Sequence, residues 1–164
     1  MIDFPALLRQ FAAAVVANDG AALAALFTDD GVYEDGFFGV NQGPDAIARM
    51  LAKFHETGRD YRWDFFDSLT DGRIGYARWR FSYASKMPGA EGKPVVFEGI
   101  ALFEFRGDRI ARYSEAFDRA VAFVQQDFPA ERLKKILVKI AHAQNATPAC
   151  REHLARFARA AATG

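Results

Sequence analysis

The chain has 164 residues, with 21 basic and 21 acidic side chains, 51% apolar residues and 14% aromatics. A chain of this length folds by default as one domain and buries roughly 69% of the surface its unfolded form exposes. That composition excludes intrinsic disorder, and Cys150, the sole cysteine, excludes a disulfide scaffold. The charge balance argues against nucleic acid as the main partner. An apolar run such as Phe11 to Ala17 falls far short of the ~20 residues that span a bilayer, so no membrane partner is expected. Asp3 precedes that run and Arg9 sits beside it, which is not the basic leader of a signal peptide, so a cytoplasmic protein is expected.

The elements follow from periodicity and breakers. Phe4 to Asn18 reads as a helix with Leu7, Leu8, Phe11 and Val15 on one side, stopped by Asn18-Asp19-Gly20. Ala21 to Phe27 reads as a second, short helix. Gly31 to Asp35 is a first strand, and Gly36 to Gly43 a glycine-marked loop. Gly43-Pro44-Asp45 opens a third helix, with proline in its first turn and an acid favouring the helix dipole, and it runs to about Thr57. Four strand-like runs follow: Tyr61–Leu69, Ile74–Ser85, Val95–Arg106 and Arg109–Phe117. Asp71-Gly72 and Gly107-Asp108 are hairpin turns, and Met87 to Pro94 is a longer tip. Pro129 and Pro148 open two last helices. Helices, then meandering antiparallel strands, then helices make an α+β fold with a curved sheet, not a βαβ array.

Charge is uneven along the chain. Residues 131–164 carry seven basic side chains against two acidic ones, leaving +5, so residues 1–130 carry −5. Leu133, Ile136, Leu137 and Ile140 form an apolar stripe at helical spacing, so the basic residues read as the solvated face of a helix that wants a core or a partner helix. The expected organisation is a domain over 1–130 and a helical extension over 131–164, packed on that domain or on a dimer partner.

Strand alternation then sorts the faces. Tyr33 shares a face with Asp35, and Tyr113 with Glu115 and Phe117. In the strand from Val95, Phe97, Gly99, Ala101 and Phe103 oppose Glu98 and Glu104. In the strand from Ile74, Ala77, Trp79, Phe81 and Tyr83 oppose Tyr76, Arg78, Arg80 and Ser82. The pattern puts the aromatic face inward, and Arg78 and Arg80 outward to pair with Glu98 or Glu104.

The run Phe27-Thr28-Asp29-Asp30-Gly31-Val32-Tyr33-Glu34-Asp35, the helix start Gly43-Pro44-Asp45-Ala46-Ile47 and the final strand Ile110 to Asp118 resemble the NTF2-like superfamily. That superfamily includes ketosteroid isomerase, SnoaL-like polyketide cyclases and limonene-epoxide hydrolase. The resemblance covers roughly residues 4–128 and implies a cone: a sheet curled around a pocket that the N-terminal helices close. It also implies a homodimer across the sheet's outer face. Asp35 matches the catalytic base of ketosteroid isomerase, and Glu115 the catalytic aspartate of limonene-epoxide hydrolase. The resemblance to the latter can also turn Arg78 inward, which would need a bulge in its strand. The two oxyanion-hole positions of ketosteroid isomerase read Phe11 and Ala101 here, and neither carries a donor. Arg80 stands where the hydrolase has its second carboxylate.

The candidate chemistry is therefore a carboxylate pair, Asp35 and Glu115, with Tyr33 orienting a substrate or a water. The expected pocket wall is Phe11, Phe37, Met50, Phe54 and Trp79, continued by Phe81, Phe97, Ala101, Tyr113 and Phe117. Burial among these rings would raise both carboxyl pKa values and leave one base and one acid near neutral pH. The plainer alternative has Asp35 capping the glycine loop and Glu115 in a buried salt bridge, with Arg78 as one partner. Gly36-Phe37-Phe38-Gly39 reads as a lip, with its two phenylalanines touching either a ligand or a second subunit. His55, His142 and His153 have no metal-ligand spacing, and Cys150 has no neighbouring base, so no metal and no cofactor is implied. Two functions remain: a cofactor-independent isomerase, cyclase or epoxide hydrolase acting on a small hydrophobic molecule, or a non-catalytic small-molecule-binding or dimerisation module.

Overall fold

The computed structural model describes residues 2–162, with side chains described as far as Phe157. The chain divides into two compact units after Asp127. The first holds four helices and six strands. In chain order these are α1 (Phe4–Val16), α2 (Gly20–Ala25), β1 (Phe27–Asp35), β2 (Gly39–Gln42), α3 (Pro44–Thr57), β3 (Gly58–Thr70), β4 (Ile74–Ser85), β5 (Pro94–Arg106), β6 (Arg109–Phe117) and α4 (Arg119–Gln125). The second holds α5 (Ala130–Asn145) and α6 (Pro148–Ala162). Among the described residues no helix is long and apolar enough to cross a membrane.

Side-chain caps set where most of the helices of the first unit begin. Asp3 accepts from the Ala6 N–H at 2.9 Å, Asp19 from Ala22 at 2.9 Å and Asp118 from Ala120 at 2.9 Å. Each such cap is worth about 1 kcal/mol. α3 starts differently: Gly43 at φ 80° turns the chain into Pro44, and no side chain caps it. α1 then buries Phe4, Leu7, Leu8, Phe11 and Val15, the apolar side its spacing predicts.

The six strands form one curved, unclosed sheet in the order β2-β1-β6-β5-β4-β3. Its pairings are antiparallel except β1 with β6, which run parallel. The meander of β3 to β6 is antiparallel as expected, and β1 joins it through this one parallel junction. The junction arises because β1 is separated from the other long strands by β2 and α3 and returns beside the last of them. β1 also begins earlier than expected, at Phe27, which is buried opposite Ile110. The segment read as a loop contains β2, an edge strand whose Gly39 lies opposite Asp35. α4 was not anticipated: with seven residues it is too short for periodicity to reveal.

The inner face of β4 and β5 carries Ala77, Trp79, Phe81, Phe97, Ala101 and Phe103, all buried. Trp79 lies opposite Gly99, where a Cβ would fall 2.4 Å from the indole, so only glycine leaves room for that ring. The β4–β5 register runs without a shift from Ile74 to Ala84. Arg78 and Arg80 therefore alternate with Trp79 and point outward, Arg80 to Glu98 at 2.7 Å and Arg78 to Asp67 at 3.1 Å. The bulges of this sheet region lie in β3, at the positive-φ residues Asp60 and Asp67. In the second unit, α5 fully buries none of its side chains, and Leu137 of the predicted stripe is exposed.

Candidate functional site

A narrow cavity opens on the inner face of the sheet, with a free volume of about 20 Å³. Asp35 at the end of β1 and Glu115 near the end of β6 both line it, as does Tyr33. The sheet contributes Trp79, Phe81, Phe97 and Phe117; α3 contributes Met50 and Phe54, and the lip Phe37. Val15, Leu51 and Trp63 line it as well and were not anticipated. Strand alternation was enough to put Trp63 on one face with Phe65, and the pairing with Phe81 makes that face the inner one.

Three expected wall residues sit behind the cavity instead. Phe11 is wholly buried and stacks on Tyr33 at 5.8 Å between ring centroids. Tyr113 is wholly buried, 4.9 Å from Phe11. Ala101, also wholly buried, lies across from Glu115 in the strand pairing. The reason is common to all three. Phe11 of α1 packs on Tyr113 and Phe103 of the inner face, and the sheet there leaves no open space.

Asp35 holds the lip. Its Oδ1 accepts the backbone N–H groups of Phe37 at 2.6 Å and Phe38 at 2.7 Å. The capping role expected as the plainer alternative is thus present, and it coexists with a position in the cavity wall. Among the described residues no arginine forms an ion pair with Glu115. Its Oε2 accepts from the Tyr113 hydroxyl at 2.8 Å, and its Oε1 takes a longer contact of 3.2 Å from the Gly36 N–H. Gly36 matters sterically too: a Cβ there would meet the Phe117 ring at 2.4 Å. Phe37 closes over the same cluster, edge-on to Phe97 at 5.9 Å and tilted to Phe117 at 5.3 Å.

Burial sets the protonation of this pair. Desolvation raises Asp35, opposed by the two lip N–H groups and by the charge of Arg119. Glu115 is pushed up to about 8, first by burial and then by the negative charge of Asp35, against the hydrogen bond from Tyr113. Two nearby carboxyls do not readily ionise together, so negative charge on Asp35 favours the protonated form of Glu115. Tyr33 and Tyr113 are pushed up as well, by burial and then by Glu115, and remain neutral phenols. Arg119, at the start of α4, is the cation that bears on both carboxyls. It was missed because nothing in its local sequence marks it.

Two further features belong to the cavity wall. The indole Nε1 atoms of Trp63 and Trp79 are buried without a hydrogen-bond partner. A buried donor left unpaired costs about 1–3 kcal/mol. His55, by contrast, is accounted for locally: its Nε2 lies 2.8 Å from the Val15 carbonyl oxygen, tying α3 to α1. Among the described residues no group of three or more His, Cys, Asp or Glu is placed to hold a metal ion.

A model of the SnoaL-like domain matches residues 8–113. The chain belongs to the SnoaL-like family. No curated protein matches this SnoaL-like chain by sequence. Solved structures match it closely in fold. A protein of ketosteroid isomerase-like fold from Catenulispora acidiphila, in complex with trimethylamine, aligns at TM-score 0.69 and 21% identity over 77% of this chain and 96% of its own. A candidate polyketide cyclase from Xanthomonas campestris aligns at TM-score 0.62 and 21% identity, over 74% and 95%. An epoxide hydrolase of M. tuberculosis, similar to LEH, aligns at TM-score 0.60 and 19% identity, over 82% and 94%. At these identities the likeness is one of fold, the NTF2-like cone that the resemblance of β1 and β6 implied. Function has to be argued from the site.

Proposed function

We propose that this SnoaL-like protein is a cofactor-independent acid–base enzyme acting on a small hydrophobic molecule, in the class of isomerases, cyclases and epoxide hydrolases. One observation carries the reading: two carboxyls share an aromatic cavity wall, where burial and the charge of Asp35 push Glu115 up to about 8. A charged base next to a neutral acid is what proton shuttling at neutral pH requires. Asp35 takes the substrate proton on Oδ2, because Oδ1 is occupied by the two lip N–H groups. Glu115 returns a proton to the developing oxyanion or leaving oxygen. Tyr33, also in the wall, orients the substrate or a water. Neither Phe11 nor Ala101 supplies an oxyanion donor, so steroid-type isomerisation by two such donors is not the reading offered. A homodimer across the outer sheet face would cover the exposed Tyr76, Val96 and Ile100.

A specific observation favours one other reading. Asp35 already has a complete structural task in capping the lip, as a non-catalytic small-molecule-binding protein would need. Ligand capture separates the two. The protein is purified natively and denatured, and the released small molecule is identified by mass spectrometry, with the double variant Asp35→Asn, Glu115→Gln in parallel. The acid–base reading expects a compound retained by both proteins and transformed by the wild type alone. A compound retained by both and transformed by neither would leave a binding protein.

A further inference from the structure

The acid–base pair leaves unused two polar atoms that belong to cavity-lining residues. Among the described residues the Nε1–H groups of Trp63 and Trp79, covered from solvent, have no hydrogen-bond partner. Trp79 is only 1% exposed, and both side chains line the cavity. The two indoles meet edge to face, with centroids 5.9 Å apart and 76° between their planes.

An indole nitrogen can only donate. Most buried polar atoms in folded proteins have partners, and an exception calls for a reason. The fold does not supply one here. Each indole packs through its ring, against Phe65 and Phe81 for Trp63 and against Phe97 and Phe117 for Trp79. A phenylalanine at either position would keep an aromatic ring in the wall and bury no donor. The surrounding ring faces offer N–H···π contacts, which are second-order interactions. The remaining lining is largely apolar, with Met50, Leu51 and Phe54 along α3. So a largely apolar cavity is bordered by two tryptophans whose buried indole donors have no acceptor.

On the reading of this cavity as a ligand pocket, we propose that Trp63 and Trp79 are the donors for an acceptor oxygen of the ligand. The cavity then selects apolar molecules that carry a carbonyl or ether oxygen over hydrocarbons of the same shape. The role is one of binding and orientation. The indoles fix the oxygen-bearing end, and the carboxyls are left free to move the proton.

The test uses two probes of one shape, cyclohexanone and methylenecyclohexane, in which a CH2 group replaces the carbonyl oxygen. The chain has 2 tryptophans, so a nitrogen–proton correlation spectrum of the labelled protein contains two indole cross-peaks. The Met50 methyl resonance reports occupancy of the cavity independently of the indoles. The expected result is that both indole protons move downfield on titration with cyclohexanone and not with methylenecyclohexane. The ketone should bind about three- to tenfold more tightly, in line with one or two neutral hydrogen bonds. Trp63→Phe and Trp79→Phe should each reduce that preference. If both probes shift the Met50 methyl with equal affinity and the indole protons stay in place, the donor role is overturned while the pocket stands. If neither probe moves the Met50 methyl, the pocket reading fails and this proposal falls with it. The wild-type titration decides the matter even if a tryptophan variant does not fold.

Discussion

Asp35 and Asp71 form the same local structure and come out with opposite acidities. Each begins an Asp-Gly pair. Each uses Oδ1 to accept two backbone N–H groups two and three residues on: Phe37 and Phe38 at 2.6 and 2.7 Å, Arg73 and Ile74 at 2.8 and 2.7 Å. At the exposed Asp71 those bonds dominate, first from Ile74, and the carboxyl is held below its ordinary range. At the buried Asp35 the same bonds are outweighed by desolvation, and the carboxyl is raised. Hydrogen bonds to a carboxylate favour its charge only as far as the surroundings let that charge keep its solvation. The turn motif positions the group; the aromatic wall behind it makes it a candidate base.

The pH dependence of stability offers the largest contrast. Glu115 is raised from 4.5 to about 8, so the folded state holds a proton that the unfolded state releases. Its stabilising contribution is complete below about pH 4.5 and is lost as pH rises through about 8. The wild-type melting temperature should fall by roughly 5–10 °C between pH 5 and pH 9. Glu115→Gln should flatten that slope, and thermal denaturation at a series of pH values reads it directly. A profile that rises with pH would show that the pair is not buried as described.

The coupling between the two carboxyls comes next in size. Asp35→Asn keeps an acceptor oxygen for the lip and removes the charge that raises Glu115. The Glu115 carboxyl should then titrate about one unit lower, as measured by carbon NMR of the labelled side chain. An unchanged midpoint would mean that burial alone sets it.

The exposed turn should show the smallest effect. Asp71→Asn removes a charge that its two N–H donors favour, so stability should fall slightly, by the same amount at pH 6 and pH 9. A loss that grew strongly with pH across that range would place Asp71 in a buried environment and erase the contrast.

Much of the fold could be read from local rules. Pro44 after a glycine and the two-residue alternation of β4 and β5 each act over a few residues. The same alternation turned Arg78 and Arg80 outward, because an unbroken register leaves no other choice. The elements missed are those that depend on distant partners. β2 exists because β1 offers it an edge. α4 is capped by Asp118 and tied to β4 through the bond between the Gln126 side chain and Ser85 at 3.0 Å. The depth of Phe11, Ala101 and Tyr113 depended on where α1 would lie.

The sequence by itself determined which side chains share a face: Asp35 with Tyr33 on β1, and Glu115 with Tyr113 and Phe117 on β6. It could not determine what those residues would experience. A pKa depends on the water excluded and the charges nearby, and both come from parts of the chain far apart in sequence. Only the tertiary structure brought Glu115 beside Asp35 and the Gly36 N–H, 79 residues away along the chain. Only it left Arg78 in an exposed ion pair, and enclosed two indole donors with no acceptor. Local sequence places side chains on faces; long-range packing decides the dielectric those faces see.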